Sequence, residues 1–446
     1  MQRSRSTVSG VNSGFDDNCP FGSGATHLLN TMSISTQASK LRVLISGAGI
    51  AGPCLAYWLS RTRLNTTITI VERSPVPRTT GQAVDIRGTA IAIIEKMRLK
   101  NAVRARSTTE EGTRIVGASG NTIAEFGKGD AFTAEYEILR ADLCGLFLDA
   151  TRELPNVRHV YGDYVTSLSQ SETKAEVTFN SGSKDSFDLG VGADGSTSKI
   201  RAIILDEETR KGSYKPIGQY IAYFSIPRQP SDTKHWYWYN EPRGLGVMTR
   251  PHRNESTVGA YLCITLPAHG QSDPVLEEAL SQGPEAQKRI LKQYFAKAGW
   301  QTPRVLAGMN TSTDFYMSRA ARVVLPRWHS NRTVLLGDAA FATFGIGTSL
   351  AIQSAYTLAG ELSTITGSDQ VPAALERYED AFRKVTGVNE ELPPGFPQLA
   401  FPQSAWGIRV RDAAAWFVGK TKAYKLLPGE DRAGKDKLTE YEWVGA

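Results

Sequence analysis

The chain alternates short apolar runs with stretches of helical periodicity, and that alternation organises most of its length. Leu41 to Ser46 is a continuous Leu/Val/Ile-rich run, the mark of a strand buried on both faces. It leads into Gly47-Ala48-Gly49-Ile50-Ala51-Gly52, after which Ile50, Cys54, Leu55, Trp58 and Leu59 recur at helical spacing. Thr67 to Val71 is a second β-branched run and ends at Glu72. Further on, the pattern predicts a helix near Thr89 to Met97 and another opening at Glu137 to Leu143. It reads Val157 to Tyr161, Tyr164 to Leu168 and Ala175 to Phe179 as antiparallel strands. From about Lys211 to Met309 aromatic-rich β runs (Ile217 to Ile226, His235 to Asn240, Gly244 to Arg250, Ser256 to Ile264) predict an antiparallel sheet, followed by helices around Val275 to Leu280 and Glu285 to Ala298. Val323 to Trp328 and Thr333 to Leu336 return to β character, and Ser349 to Leu362 is a strongly apolar helix. A proline-rich stretch, Leu392 to Pro402, precedes a last helix from about Ala405 to Leu427. Its apolar face is expected to pack on the body, with a membrane-surface helix as the lesser alternative.

The first forty residues lack apolar periodicity and are rich in Ser, Thr, Gly and Asn, so they are expected to be disordered, with Met32 an alternative start. They contain no apolar core of a secretory signal, and no segment reaches the ~18 consecutive apolar residues of a membrane span. Four scattered cysteines fit a reducing, cytoplasmic setting, and the six histidines show no metal-ligand spacing, so no metal is expected. The net charge of +6 is spread along the chain without a basic run, which argues against nucleic acid and for a small-molecule partner; oligomeric state is not legible.

The chemistry sits in the first strand–turn–helix. Gly47, Gly49 and Gly52 have G-x-G-x-x-G spacing, and Glu72 follows twenty residues after Gly52. Gly47 turns the chain off the strand, Gly49 leaves room for a pyrophosphate, and Gly52 lets helix and strand pack closely. The helix N-terminus attracts phosphate, and a carboxylate at the end of the second strand suits a ribose. By itself this is a dinucleotide site, equally suited to NAD and to FAD. Three later stretches narrow it: Asp194-Gly195-Ser196-Thr197-Ser198-Lys199-Ile200-Arg201, the strand running into Gly337-Asp338-Ala339-Ala340, and Gly345-Ile346-Gly347-Thr348-Ser349 opening the next helix.

Together these motifs, over roughly residues 41–362, resemble the group A FAD-dependent monooxygenases typified by para-hydroxybenzoate hydroxylase. The likeness is strongest to the branch that holds tetracycline-inactivating and fungal secondary-metabolite enzymes. The resemblance implies an α/β fold: a Rossmann-like FAD-binding domain with an inserted antiparallel substrate sheet and C-terminal helices. The boundaries expected are 41–107, 133–208 and 311–366 for the FAD domain and 108–132 and 209–310 for the substrate domain, with a helical extension over 367–446. It further implies that Gly47, Gly49 and Gly52 hold the pyrophosphate, Glu72 and Arg73 the adenosine end, Arg140 and Asp338 the ribityl–phosphate region, and Asp194 the cofactor groove. Gly345, Gly347, Thr348 and Ser349 would line the flavin's pyrimidine edge, with Arg87 near the isoalloxazine. Arg201 and Tyr220 resemble positions treated as catalytic in fungal relatives; a structural ion pair and a sheet-core tyrosine are the competing readings. The implied activity is insertion of one oxygen atom from O2, by hydroxylation or epoxidation, into a hydrophobic aromatic or polyketide-like molecule, with NADPH or NADH as reductant. Only Phe341-Ala342-Thr343-Phe344 separates Ala340 from Gly345, shorter than the family pattern and without its proline. That departure keeps open a flavoprotein on the same scaffold without oxygen transfer, or a non-catalytic FAD-binding protein.

Overall fold

Strand Leu41–Ser46 lies at the middle of a six-stranded sheet, and a computed structural model describes residues 40–78, 81–130, 133–387, 392–422 and 438–445 around it. The expected disorder of the first forty residues falls, but for Lys40, outside the described residues. The strand pairs in parallel with Thr66–Glu72 on one side (Val43 opposite Ile68) and Leu189–Gly192 on the other (Val43 opposite Leu189). Thr333–Leu335 extends the sheet in parallel, and His329–Ser330 closes that edge antiparallel. The opposite edge is Val157–Tyr161, parallel to Thr66–Glu72. This corrects the antiparallel reading of Val157 to Tyr161: its half-buried pattern suits an edge strand of either hand, and its partner lies far away in sequence. Val165–Gln170, Ala175–Phe179 and Lys184–Phe187 form a separate antiparallel sheet.

Helix Ala51–Leu59 is buried along its whole length against the apolar helix Gly347–Ser363, which packs in turn on Val371–Gly387. Two glycines permit this. Gly47 sits at φ 114°, and a Cβ there would strike the Ala193 carbonyl; a Cβ on Gly52 would strike the Gly47 carbonyl. The described C-terminal residues clip onto the same layer, with the Trp443 ring 4.6 Å from Trp58 and 5.2 Å from Tyr356.

The second large sheet has seven strands in the order Tyr316–Val323, Tyr214–Pro227, Thr257–Thr265, Leu245–Pro251, His235–Glu241, Gly112–Val116, Thr122–Gly127. It is antiparallel except where His235–Glu241 runs parallel to Gly112–Val116. The strand expected over Val323 to Trp328 lies earlier, at Tyr316–Val323, because its pairing with Tyr214–Pro227 decides its limits. One face carries Tyr220, Ala222, Phe224 and Leu262 under the helices Pro274–Gln282, Pro284–Phe295 and Thr302–Thr311. The other carries Ile221, Trp238, Met248, Tyr261 and Cys263 and looks toward the six-stranded sheet's carboxyl ends across a cavity.

The last helix ends at Thr421, not Leu427, and residues 423–437 lie outside the described ones. None of its side chains is fully buried: Ala415 and Val418 rest on Ile115, Ala124 and Phe126, while Trp406, Val410, Trp416 and Phe417 face solvent. The apolar face expected to pack on the body therefore points away from it.

A buried charge cluster joins the seven-stranded sheet to the small sheet of Ala83–Ile86 and Tyr136–Leu139. Arg250 donates from Nε to Glu110 (2.7 Å) and from its guanidinium to Glu137, on strand Tyr136–Leu139; Thr108 donates to Glu137 at 2.6 Å. Burial pushes the Glu110 carboxyl up to about 8, with Arg250 opposing and Glu137 adding to the shift. The folded state thus holds a proton that the unfolded chain has released above the ordinary Glu range. Stability is complete below that range, falls as pH rises toward 8, and levels off above it. Glu110→Gln, which keeps the side chain neutral, is expected to flatten this dependence, so that its thermal midpoint between pH 5.5 and 8.5 falls less than that of the parent. Equal falls in both proteins would contradict the assignment.

Candidate functional site

A cavity of about 1120 Å³ opens where the carboxyl ends of the six-stranded sheet meet the inner face of the seven-stranded one. That exceeds the ~300–1,000 Å³ of a single small-ligand site, leaving room for a dinucleotide and a second molecule.

At one end, Gly47, Ala48 and Gly49 form the turn at the N-terminus of helix Ala51–Leu59. No heavy atom lies within 4 Å of where a Gly49 Cβ would stand, so the backbone is open to a phosphate. Glu72 is fixed at the strand end: Ala48 N donates to one carboxylate oxygen and Ser74 N to the other, both at 2.9 Å. Each oxygen keeps acceptor capacity toward the cavity, where ribose hydroxyls can donate. Arg73 and Arg140 line the same groove.

Asp338 follows strand Thr333–Leu335 and opens a short helix. Burial raises its pKa, and Arg140 opposes the shift. Gly345, Gly347 and Thr348 line the cavity at the N-terminus of helix Gly347–Ser363. Ser349 is buried below them, its hydroxyl accepting from Arg87 N at 2.9 Å. That bond ties the Arg87 loop to the helix, while the Arg87 guanidinium donates to Asp85 at 2.8 Å. Asp194 lines the groove with its carboxylate already engaged, accepting from Ser198 Oγ (2.5 Å), Lys199 N (2.7 Å) and Ile200 N (3.2 Å). It caps the helix Lys199–Ile204 and thereby shapes the groove wall.

The two residues expected to be catalytic are not brought to the cavity. Arg201 is buried and donates to the carbonyls of Ala339 (2.9 Å) and Ser196 (2.5 Å), tying the Asp-Gly turn to the Gly-Asp-Ala-Ala helix. Tyr220 points to the helix-covered face, its hydroxyl donating to Glu277 at 2.5 Å and accepting from Asp273 N at 3.1 Å. Burial and the Glu277 bond push that hydroxyl up to about 12. Strand alternation gives the cavity Gln219 and Ile221 instead, one residue to either side, and Tyr223 two further on. The paired tryptophans Trp236 and Trp238 share the cavity face, stacked at 5.8 Å, and Tyr237 and Tyr239 take the other.

Sequence reading missed Asp85, Gln219, Arg250 and the tail residues Phe396 and Phe401. Among the described residues, Asp85 Oδ1, Gln219 Oε1 and Trp236 Nε1 are buried without a hydrogen-bond partner, and all three side chains line the cavity. A buried polar atom left unpaired costs about 1–3 kcal/mol, so these are places for ligand atoms. The phosphate cradle and the fixed acid of Glu72 fit a flavin dinucleotide, and Asp85 Oδ1, 3.9 Å from the Arg250 guanidinium, can accept a further hydrogen bond.

Residues 40–389 match the family model described as FAD binding domain. Monooxygenase CTB7 of Cercospora beticola is 34% identical over 92% of this chain and 99% of its own length. Flavin-dependent monooxygenase eupH of Phoma sp is 32% identical over 90% of this chain and 97% of its own. The chain belongs to the FAD-binding monooxygenase family. The crystal structure of tetracycline destructase Tet(51) superposes with a TM-score of 0.71 at 27% identity, covering 90% of this chain and 99% of that one. This FAD-dependent monooxygenase thus has the Rossmann-like α/β fold, second sheet and C-terminal helices that its motifs imply. In it the short Phe341–Phe344 link is met from the tail, with Phe344 5.0 Å from Phe396 at the cavity rim.

Replacing Glu72 with Ala is expected to weaken FAD binding by about ten- to a hundredfold, the value of a charge-assisted hydrogen bond. Fluorescence titration of the apoprotein measures it, and an unchanged affinity would remove Glu72 from the cofactor site.

Proposed function

We propose that this monooxygenase takes reducing equivalents from NADPH or NADH and inserts one atom of O2 into a planar, hydrophobic, aromatic or polyketide-like molecule of secondary metabolism. The observation that carries this reading is the continuity of one cavity. It runs from the Gly47–Gly49 cradle and the Gly345–Thr348 turn into a chamber walled by Trp236, Trp238 and Tyr261, with Phe401 on the tail side. A flat ring system is what such a chamber holds well, because its buried area and ring stacking act together.

FAD, when bound, supplies the redox chemistry: a hydride is taken from the nicotinamide, and the electrons go to O2, one oxygen atom to the substrate and the other to water. The chain's own residues bind, orient and keep water out. Gln219 Oε1 can accept from a substrate hydroxyl, its amide being fixed by donation from Nε2 to Thr265 Oγ1 at 2.8 Å. The Trp236 indole N–H is a matching donor. Arg250, 4.5 Å from the Trp236 ring and held by Glu110 and Glu137, keeps that aromatic wall of the chamber in place. Arg87 and Asp338 belong to the cofactor's side of the cavity. Arg201 and Tyr220 are positioning residues in this reading, one bracing the two cofactor motifs and the other the sheet under helix Pro274–Gln282.

The purified protein is expected to be yellow and to oxidise NADPH faster when planar phenolic polyketides are added, with one labelled oxygen from isotopic O2 in the product by mass spectrometry. Gln219→Ala and Trp236→Ala should each raise KM on the order of tenfold, the value of one lost buried contact, while reduction of the flavin without substrate is unchanged. Reduction without any labelled product over the panel would overturn oxygen insertion into this class.

A further inference from the structure

Helix Ala405–Thr421 carries its apolar side chains on the wrong face for a protein that exposes it only to water. At 100° per residue, Trp406, Arg409, Val410, Ala413, Trp416, Phe417 and Lys420 fall within an arc of about 120°. Trp406 is 72% exposed, Phe417 57%, Trp416 50% and Val410 49%. The opposite side carries Ala415 and Val418, which rest on Ile115, Ala124 and Phe126, and Gly419, which approaches the Glu125 backbone. The helix is thus seated in a fixed orientation with its aromatic face outward. Isolated exposed apolar residues are ordinary; three large aromatics and a valine on one helical arc are not.

The charges on that arc decide what covers it. They are Arg409 and Lys420, and no acidic residue lies among them; Asp412 is turned aside and paired with Arg411 at 2.8 Å. In a two-fold pair of such helices Arg409 would face the partner helix's basic end across an apolar seam, with no carboxylate to answer it. Anionic lipid headgroups supply that missing charge. Tryptophans near both ends, with Arg409 between them and the Lys420 ammonium 5.2 Å from the Trp416 ring, suit the boundary of headgroup and acyl chain. No helix among the described residues is long and apolar enough to cross a membrane, so the contact is with its surface.

We infer that helix Ala405–Thr421 docks the protein on an anionic membrane surface through Trp406, Trp416 and Phe417, with Arg409 and Lys420 meeting the headgroups. The helix is continuous with the segment that supplies Phe396, Ala400 and Phe401 to the cavity, and Ser404 caps its start by accepting from Gly407 N at 3.0 Å.

Flotation of the FAD-loaded full chain tests it, with vesicles of phosphatidylcholine alone and of phosphatidylcholine with phosphatidylserine. The protein is expected to float with the phosphatidylserine vesicles and to be released by high salt. Arg409→Ala with Lys420→Ala should lower the partition coefficient about thirtyfold, and Trp406→Ala, Trp416→Ala and Phe417→Ala together on the order of a hundredfold. Bound FAD and NADPH oxidation without vesicles should be unchanged in both variants, which separates loss of docking from loss of fold or of catalysis. No flotation with phosphatidylserine vesicles, or equal flotation by the variants, would overturn the inference. So would a dimer in sedimentation equilibrium that the aromatic variant abolishes, which would assign the face to a second copy.

Discussion

The buried guanidinium of Arg250 ties the seven-stranded sheet to the small sheet of Ala83–Ile86 and Tyr136–Leu139, whose first strand lines the cofactor side of the cavity. Burial alone would weaken its hold on the proton, but Glu137 and Glu110 outweigh the effect, and its pKa is raised. Glu137 belongs to the strand that pairs with Ala83–Ile86, beside the cofactor groove, whereas Arg250 belongs to the seven-stranded sheet. Removing either partner of such a pair leaves a bare charge in a low-dielectric joint, at a cost of about 3–5 kcal/mol. One residue therefore both locks the seven-stranded sheet to the cofactor side and, 4.5 Å from the Trp236 ring, fixes one wall of the chamber.

Around this joint the cofactor groove is made mostly from backbone. Gly47 and Gly52 let the first strand and helix touch the Ala193 turn and each other, so amide groups rather than side chains face the groove. The motif side chains then divide their labour. Glu72 stays open to a ribose while fixed by two amides, and Asp194 and Arg201 spend their hydrogen bonds holding the groove's walls.

The chamber beyond draws on distant parts of the chain. The tail crosses back to supply Phe396 and Phe401, the latter 5.1 Å from Trp238, and Phe344 from the short link meets Phe396. The chamber's shape accordingly depends on contacts among the sheet, link and tail rather than on any one motif. The same tail runs on into the helix whose aromatic face is turned outward, joining the chamber's wall to the surface of the molecule.

The sequence by itself determined what depends on local geometry: the strand–turn–helix with its glycines, the acid at Glu72, the Asp338 turn, and hence the α/β fold and the flavin. Each of those is a few consecutive residues whose spacing is the chemistry. Alternation along His235–Glu241 likewise put the two tryptophans on one face. Tertiary structure alone decided which face of a strand meets the cavity, so Gln219 and Tyr223 took the place offered to Tyr220, because a period of two gives two equivalent faces until a partner sheet covers one. It also decided the parallel pairing of Val157–Tyr161, the buried meeting of Glu110, Glu137 and Arg250, and the outward turn of the last helix. These are contacts between segments far apart in the chain, and no local pattern carries them.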